Sequence, residues 1–184
     1  MKKILINRKP VAGPWGGGNL FVSSFCDFFS KLGIQVVHSF ESNIDVVFIQ
    51  DPRPNELGIS INEIAQYKHD NPQTRVVHRV NECDARKGTQ GMDDLLRATS
   101  RITDHTIFVS RWIQDYHLQR GWVCEKTSVV YNGVNSEHFC PQPKLENGKI
   151  NIVTHHWSDN PMKGADVYCF LDGLVTRDDR FTFT

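Results

Sequence analysis

The chain has no long apolar run, no excess of either charge sign and no pairing pattern among its cysteines, and each of these absences closes off a class of protein. None of its 184 residues falls in a stretch approaching the roughly 20 apolar positions of a membrane span. The basic start Met1-Lys2-Lys3 is followed only by Ile4, Leu5 and Ile6 before Asn7 and Arg8, too little for the apolar core of a secretory leader. A soluble protein is expected, with peripheral contact to a membrane left open. Lys plus Arg equal Asp plus Glu at 21 each, so no net field draws the chain to phosphate backbones, and no nucleic acid partner is expected. The five cysteines are odd in number and widely spaced, without a Cys-x-x-Cys pair, which reads as buried thiols in a reducing, cytoplasmic compartment. Low-complexity tracts are also missing, and the 39% hydrophobic and 23% charged fractions are those of a globular chain.

What is present is an alternation of short apolar runs and amphipathic segments. Lys3 to Asn7 reads as a buried first strand, ended by Pro10 and the glycine-rich loop Gly13 to Gly18. Asn19 to Leu32 reads as a helix with Leu20, Phe21, Ser24, Phe25, Phe28 and Leu32 on one side and Gly33 as its stop. Strands are predicted at Ile34 to His38, Asp45 to Gln50, Arg75 to Val80, Thr106 to Val109 and Thr127 to Tyr131. Helices are predicted at Ile61 to His69, Leu95 to Ile102 and Arg111 to Gln119. Parallel strands need crossover connections and these are usually helical, so the predicted fold is α/β, a doubly wound, Rossmann-like parallel sheet. The Pro-, Gly- and polar-rich segment near Cys140 to Gly148 marks a boundary: residues 1–142 form the first domain and 143–148 a linker. Residues 149–184 begin a second α/β unit, with strands at Ile150 to Thr154 and Arg180 to Thr184 around a helix at Gly164 to Leu174.

Three segments have residue types suited to chemistry. Glycines at 16, 17 and 18 let the backbone approach a ligand, and helix-terminal amides suit an anion such as a diphosphate. A plain turn with Asn19 as helix cap is the competing reading. No Gly-x-Gly-x-x-Gly register and no Gly-Lys-Ser or Gly-Lys-Thr occurs there, which argues against a dinucleotide oxidoreductase and a P-loop. His78 to Thr89 follows a strand's carboxyl end, where open α/β sheets bind ligands, and Arg79, Asn81 and Asp84 are its best candidates. A solvated loop, with Glu82, Asp84, Arg86 and Lys87 in surface pairs, is the alternative there. Asn132-Gly133 reads as a turn whose two residues tolerate positive φ, with Phe139 and Pro141 as an anchored exit.

Val130-Tyr131-Asn132-Gly133-Val134-Asn135 with Phe139 and Pro141 resembles the Asn-Gly-Val-Asp...Phe-x-Pro signature of family 4 glycosyltransferases, with Asn135 in place of Asp. Thr106 to Ser110 resembles that family's Ala-Asp-x-Ile-x-x-x-Ser strand, and Gly16-Gly17-Gly18 its first glycine-rich loop. Met162-Lys163-Gly164-Ala165-Asp166 resembles the Lys-Gly after the first strand of its nucleotide-sugar domain. The resemblance implies a GT-B transferase that moves a hexosyl group, with retention, from a nucleotide-sugar to a glycan or lipid-linked acceptor. It implies Gly17, Gly18, Lys163 and Gly164 at the donor diphosphate, which leaves Arg79, Asn81 and Asp84, by their place at the strand end, to serve the acceptor. No cofactor is implied beyond the nucleotide-sugar co-substrate.

Two departures qualify the pattern. Trp157 and Ser158 stand where relatives have a phosphate-clamp Arg, so His155 or His156 is left as a substitute donor; two histidines do not make a metal site, and no metal is expected. The family's Glu-x7-Glu segment has no counterpart up to Thr184, so the chain by itself is expected to be inactive. A non-catalytic Rossmann-like domain that binds a nucleotide, a glycan or a partner subunit is the alternative.

Overall fold

A computed structural model describes residues 2–13, 16–54, 58–137, 139–143, 146–154 and 161–184. The chain divides into two compact units, Met1–Gly133 and Val134–Thr184. The expected boundary after residue 142 thus lies inside the second unit.

In the first unit, β1 (Lys3–Ile6), β2 (Gln35–Val37), β3 (Val46–Ile49), β4 (Arg75–Val80), β5 (His105–Phe108) and β6 (Thr127–Val129) form one sheet. Its order is β2-β1-β3-β4-β5-β6 and every pairing is parallel. The helices are α1 (Gly17–Lys31), α2 (Ile61–Asp70), α3 (Asp84–Lys87), α4 (Met92–Ser100) and α5 (Arg111–Leu118). The fold is the predicted α/β, Rossmann-like one.

Alternate residues of the apolar strands face opposite layers. Ile4, Ile6 and Phe48 meet Phe21, Val22, Phe25 and Phe29 of α1, whereas Leu5, Val47, Ile49 and Val76 meet Ile61, Ile64 and Tyr67 of α2. Val80 and Phe108 extend the core toward Leu96 of α4, Ile113 of α5 and Trp122. Burying each such side chain contributes about 1.5–3 kcal/mol, so both layers are needed to hold a sheet of this width.

Local signals set the helix ends. Ser60 accepts from the Glu63 amide while the Glu63 carboxylate accepts from the Ser60 amide at 2.9 Å, a reciprocal cap for α2. Ser110 caps α5 through the Ile113 amide at 3.2 Å. Gly33, at φ +70°, closes α1 as expected.

Several expectations are corrected. The buried side of α1 runs through Phe21, Val22, Phe25, Cys26 and Phe29; Leu20, Phe28 and Leu32 are exposed. The tilted contact of the Phe25 ring with Phe48, centroids 4.6 Å apart and planes at 42°, goes with this rotation. α3 replaces an expected loop. α4 starts at Met92, three residues early, because the Asp84 carboxylate accepts from the amides of Met92 and Asp93. Only Cys83 and Cys124 are buried thiols; Cys26 is half-buried, and Cys140 and Cys169 are exposed.

The second unit contains β7 (Ile150–Ile152) and β8 (Phe181–Phe183), paired in parallel, with a 3-10 turn at Pro161–Lys163 and α6 (Ala165–Val175) between them. Phe139 is exposed, and its amide donates to the Asn135 carbonyl at 2.8 Å. Among the described residues no helix is long and apolar enough to cross a membrane.

Gly58 forms an antiparallel bridge with Arg8, and an added Cβ there would overlap the Asn7 carbonyl oxygen and the Arg8 guanidinium. Because the carbonyl is backbone and cannot swing aside, Gly58→Ala is expected to lower stability by about 1–3 kcal/mol. Urea unfolding measures this; a wild-type midpoint would show that the loop shifts at no cost.

Candidate functional site

The strand order reverses direction between β1 and β3, and open α/β sheets bind ligands outside the carboxyl ends of strands at such a point. Asn7, directly after β1, is buried there. Its Oδ1 accepts from the Gln50 amide at 2.8 Å and its Nδ2 donates to the Asp51 carbonyl at 2.7 Å. One carboxamide thereby joins the ends of the two strands that flank the reversal.

α1 begins above this point. Its N-cap is Gly16, without any side-chain cap or acidic residue in the first turn, and Gly17 and Gly18 are exposed. Their amides have no hydrogen-bond partner among the described residues. Asn19 is not the cap. It sits inside the helix and grips Val11, accepting from its amide at 2.7 Å and donating to its carbonyl at 2.8 Å. This pair of hydrogen bonds fixes Val11 to the first turn of α1; Pro14 and Trp15 of the glycine loop lie outside the described residues.

Arg79, at the end of β4, is buried to 7% exposure. Its guanidinium donates to Gln50 Oε1 at 3.3 Å and to Asn132 Oδ1 at 2.7 Å, and Cζ lies 4.0 Å from the Phe21 ring centroid. Desolvation lowers its pKa from the ordinary arginine value, but a guanidinium keeps its charge at neutral pH. No carboxylate pairs with it among the described residues. An uncompensated buried cation at a sheet's carboxyl edge is an expensive arrangement unless an anion or polar ligand faces it.

The contact with Asn132 corrects the turn reading of Asn132-Gly133: neither residue has positive φ, and Asn132 instead uses its carbonyl oxygen to hold Arg79. Gln50, Asn7, Phe21 and Asn132 are site residues that sequence reasoning did not assign. The only local signal for Gln50 was its place after β3, equivalent to that of Asn7 after β1.

Beside this cluster runs a chain of alternating charges: Arg8 to Asp51 at 3.6 Å, Asp51 to Arg53 at 2.6 Å, Arg53 to Glu82 at 3.8 Å, and Glu82 to Lys87. Desolvation raises the Asp51 pKa, and the hydrogen bonds and charge of Arg53 outweigh it, so the carboxyl titrates below its ordinary value. Glu82 and Lys87 do pair, but with the Glu82 side chain only 12% exposed the pair is partly buried rather than solvated.

The other predicted residues are placed as follows. The Asn81 side chain is half-buried and makes no hydrogen bond among the described residues, and its carbonyl accepts from Arg86 at 3.1 Å. The Asp84 carboxylate is occupied by the amides of Met92 and Asp93 and by the Thr89 hydroxyl at 2.7 Å, so its geometry is that of a cap. In the second unit, Lys163 is exposed at the end of the 3-10 turn and Gly164 is the N-cap of α6 at φ +85°. His155, His156, Trp157 and Ser158 lie outside the described residues. No group of His, Cys, Asp and Glu that would hold a metal ion occurs among the described residues.

An all-parallel Rossmann-like sheet, with glycines opening α1 and a cationic cluster at its carboxyl edge, defines the class of nucleotide- and sugar-handling α/β proteins. The chain belongs to Glycosyltransferase Family 4, whose model matches residues 28–138. Its fold is like that of Anabaena Alr3699/HepE, solved in complex with UDP and glucose, at a TM-score of 0.66 and 16% identity. The match covers 100% of this chain and 60% of that one. No curated protein matches the chain in sequence.

On the opposite face of the sheet from Arg79, His78 is fully buried, its ring 6.2 Å from Trp122, with no hydrogen bond at either nitrogen. Desolvation, aided by the nearby His117, lowers its pKa to about 3. Between that value and the ordinary one near 6.5 the unfolded chain binds a proton that the folded chain refuses. Stability is therefore complete above about pH 6.5 and declines as pH falls toward 3, by up to about 1.4 kcal/mol per unit. His78→Leu is expected to remove about 2 kcal/mol of the loss seen between pH 8 and pH 5. Urea unfolding at the two pH values checks this, and parallel losses in both proteins would refute it.

Proposed function

We propose that the chain is part of an enzyme that transfers a hexosyl group from a nucleotide-sugar to a sugar, lipid or polymer hydroxyl with retention of configuration. Residues 1–142 form its acceptor-side domain, 143–148 a linker, and 149–184 the start of its nucleotide-sugar domain. Family membership supports a glycosyltransferase, and the UDP and glucose bound to HepE support a nucleotide-sugar donor. The observation that carries the reading is Arg79, a buried guanidinium with no carboxylate partner among the described residues, in the same unit as the helix-opening amides of Gly17 and Gly18.

In this reading the amides of Gly17 and Gly18 stabilise negative charge developing on the donor diphosphate, as helix N-termini do. Lys163 and Gly164, in the second unit, serve the same group with an ammonium and a helix start. Arg79 and Asn81 orient the acceptor, and Asp84 shapes the loop that follows them. No cofactor takes part, and the nucleotide-sugar is a co-substrate.

The test is transfer by the natural full-length protein with UDP-, GDP- and ADP-sugars, with the product anomer read by NMR. An α-linked product from an α-donor supports the reading. An inverted anomer refutes retention, and ligand binding without transfer assigns a non-catalytic domain. Arg79→Ala is expected to lower kcat/KM about 100-fold, while Arg79→Lys recovers only part because an ammonium cannot hold Gln50 and Asn132 together. Wild-type kinetics in Arg79→Ala would remove the arginine from the site.

A further inference from the structure

A cleft of about 220 Å³ opens between α4 and α5, lined by Asp93, Asp94, Arg97, His117, Arg120 and Trp122. It is smaller than the roughly 300–1,000 Å³ sites that take drug-sized ligands, so its room is that of a single small ring. Its charges balance: two carboxylates face two guanidiniums, and burial favours the neutral imidazole of His117, whose Nε2 contacts the Glu82 carbonyl at 3.0 Å. A balanced lining draws neither an anion nor a cation, and it offers forked donors and acceptors to a neutral polar ligand.

These groups are held in place. Arg97 bonds Asp94 at 2.6 Å and the Arg120 carbonyl at 3.3 Å, and the Tyr116 hydroxyl bonds Asp93 at 2.5 Å. Arg120 lies 3.8 Å over the Tyr116 ring, and Tyr116 in turn stacks on Trp112 at 5.5 Å with 26° between planes. Trp112 and Tyr116 on α5 and Arg120, just past its end, thus form a ladder, and the outermost member, Trp112, is 56% exposed. On the cleft side, the Trp122 indole N–H is spent on Thr106 Oγ1 at 3.1 Å and its ring meets His78, His117 and Phe108. Only its remaining carbon edge lines the cleft, and the exposed flat ring is that of Trp112. Flat apolar carbon set beside paired carboxylates and guanidiniums matches one ligand chemistry well. A pyranose has a C–H face to lie on the ring and an edge of adjacent hydroxyls for the forks.

We propose that the α4–α5 cleft and the Trp112 ladder form a binding site for a neutral glycan, one pyranose in the cleft and a neighbouring unit on Trp112. The site is distinct from the cluster around Arg79, whose guanidinium lies on the α1 side of the sheet against Phe21. The inference rests on the transferase reading in one respect, that the glycan is a polymer acceptor held some way from its reacting end.

The experiment is saturation-transfer NMR on the full chain without nucleotide, using maltohexaose, cellohexaose, mannohexaose, xylohexaose and, as the charged control, a hyaluronan hexasaccharide. At least one neutral glycan is expected to bind. Trp112→Ala and Asp94→Asn, both at exposed positions, are expected to weaken it at least tenfold and fivefold, while Gln66→Ala, at an exposed position on α2, leaves it unchanged. Amide spectra of each variant verify the fold. Binding of the charged glycan alone, no binding by any, or undiminished binding in Trp112→Ala overturns the proposal. Because no donor is present, a failed transfer assay leaves this result intact, and a failed binding assay leaves the transferase reading intact.

Discussion

Where β1 and β3 part company, the two chain ends would leave unpaired peptide groups facing a gap, and the Asn7 carboxamide closes that gap from both sides. It accepts from the amide of Gln50 and donates to the carbonyl of Asp51, with no exposure to water that would replace either bond. Removing one buried partner costs the desolvation of what it leaves behind, roughly 1–3 kcal/mol for each group. Much else depends on this interaction. Gln50, held by its backbone, has its side chain free to meet Arg79, and Asp51 is set where Arg8 and Arg53 reach it. The position of the arginine therefore follows from a hydrogen bond made two strands away.

The architecture was legible because it depends on local patterns. β4 coincides with its predicted span, and the strand-helix alternation implies a parallel sheet before any contact is known. Gly33 stops α1 because only a left-handed residue closes that turn cheaply. The site was legible only in part. Arg79 could be singled out by its position at a strand end, but its partner Asn132 lies 53 residues away and looked like half of a turn. The tie from Asn19 to Val11 and the cap made by Asp84 were hidden for the same reason. Short polar side chains serve caps, turns and long-range ties equally well, and sequence spacing does not say which.

The two faces of the sheet treat polar groups differently. On the α1 side, Arg79 is held by a ring and two carboxamides, a setting that keeps its charge and leaves it unneutralised. On the other side, His78 is sealed among apolar and aromatic groups and is kept neutral by the cost of charging it there. The same strand, at adjacent positions, thus carries a permanent cation on one face and a suppressed one on the other. Alternation of side chains makes this possible, since residues one apart along a strand never share a solvent.

The bond between Arg79 and Asn132 also has a mechanical meaning. Asn132 is the penultimate residue of the first compact unit, immediately before the chain passes into the second at Val134. The last fixed point of the outgoing peptide is thus a side chain of the ligand-facing cluster itself. The peptide that leaves this unit and the guanidinium therefore share one hydrogen bond, so loss of the Asn132 carboxamide would loosen both at once.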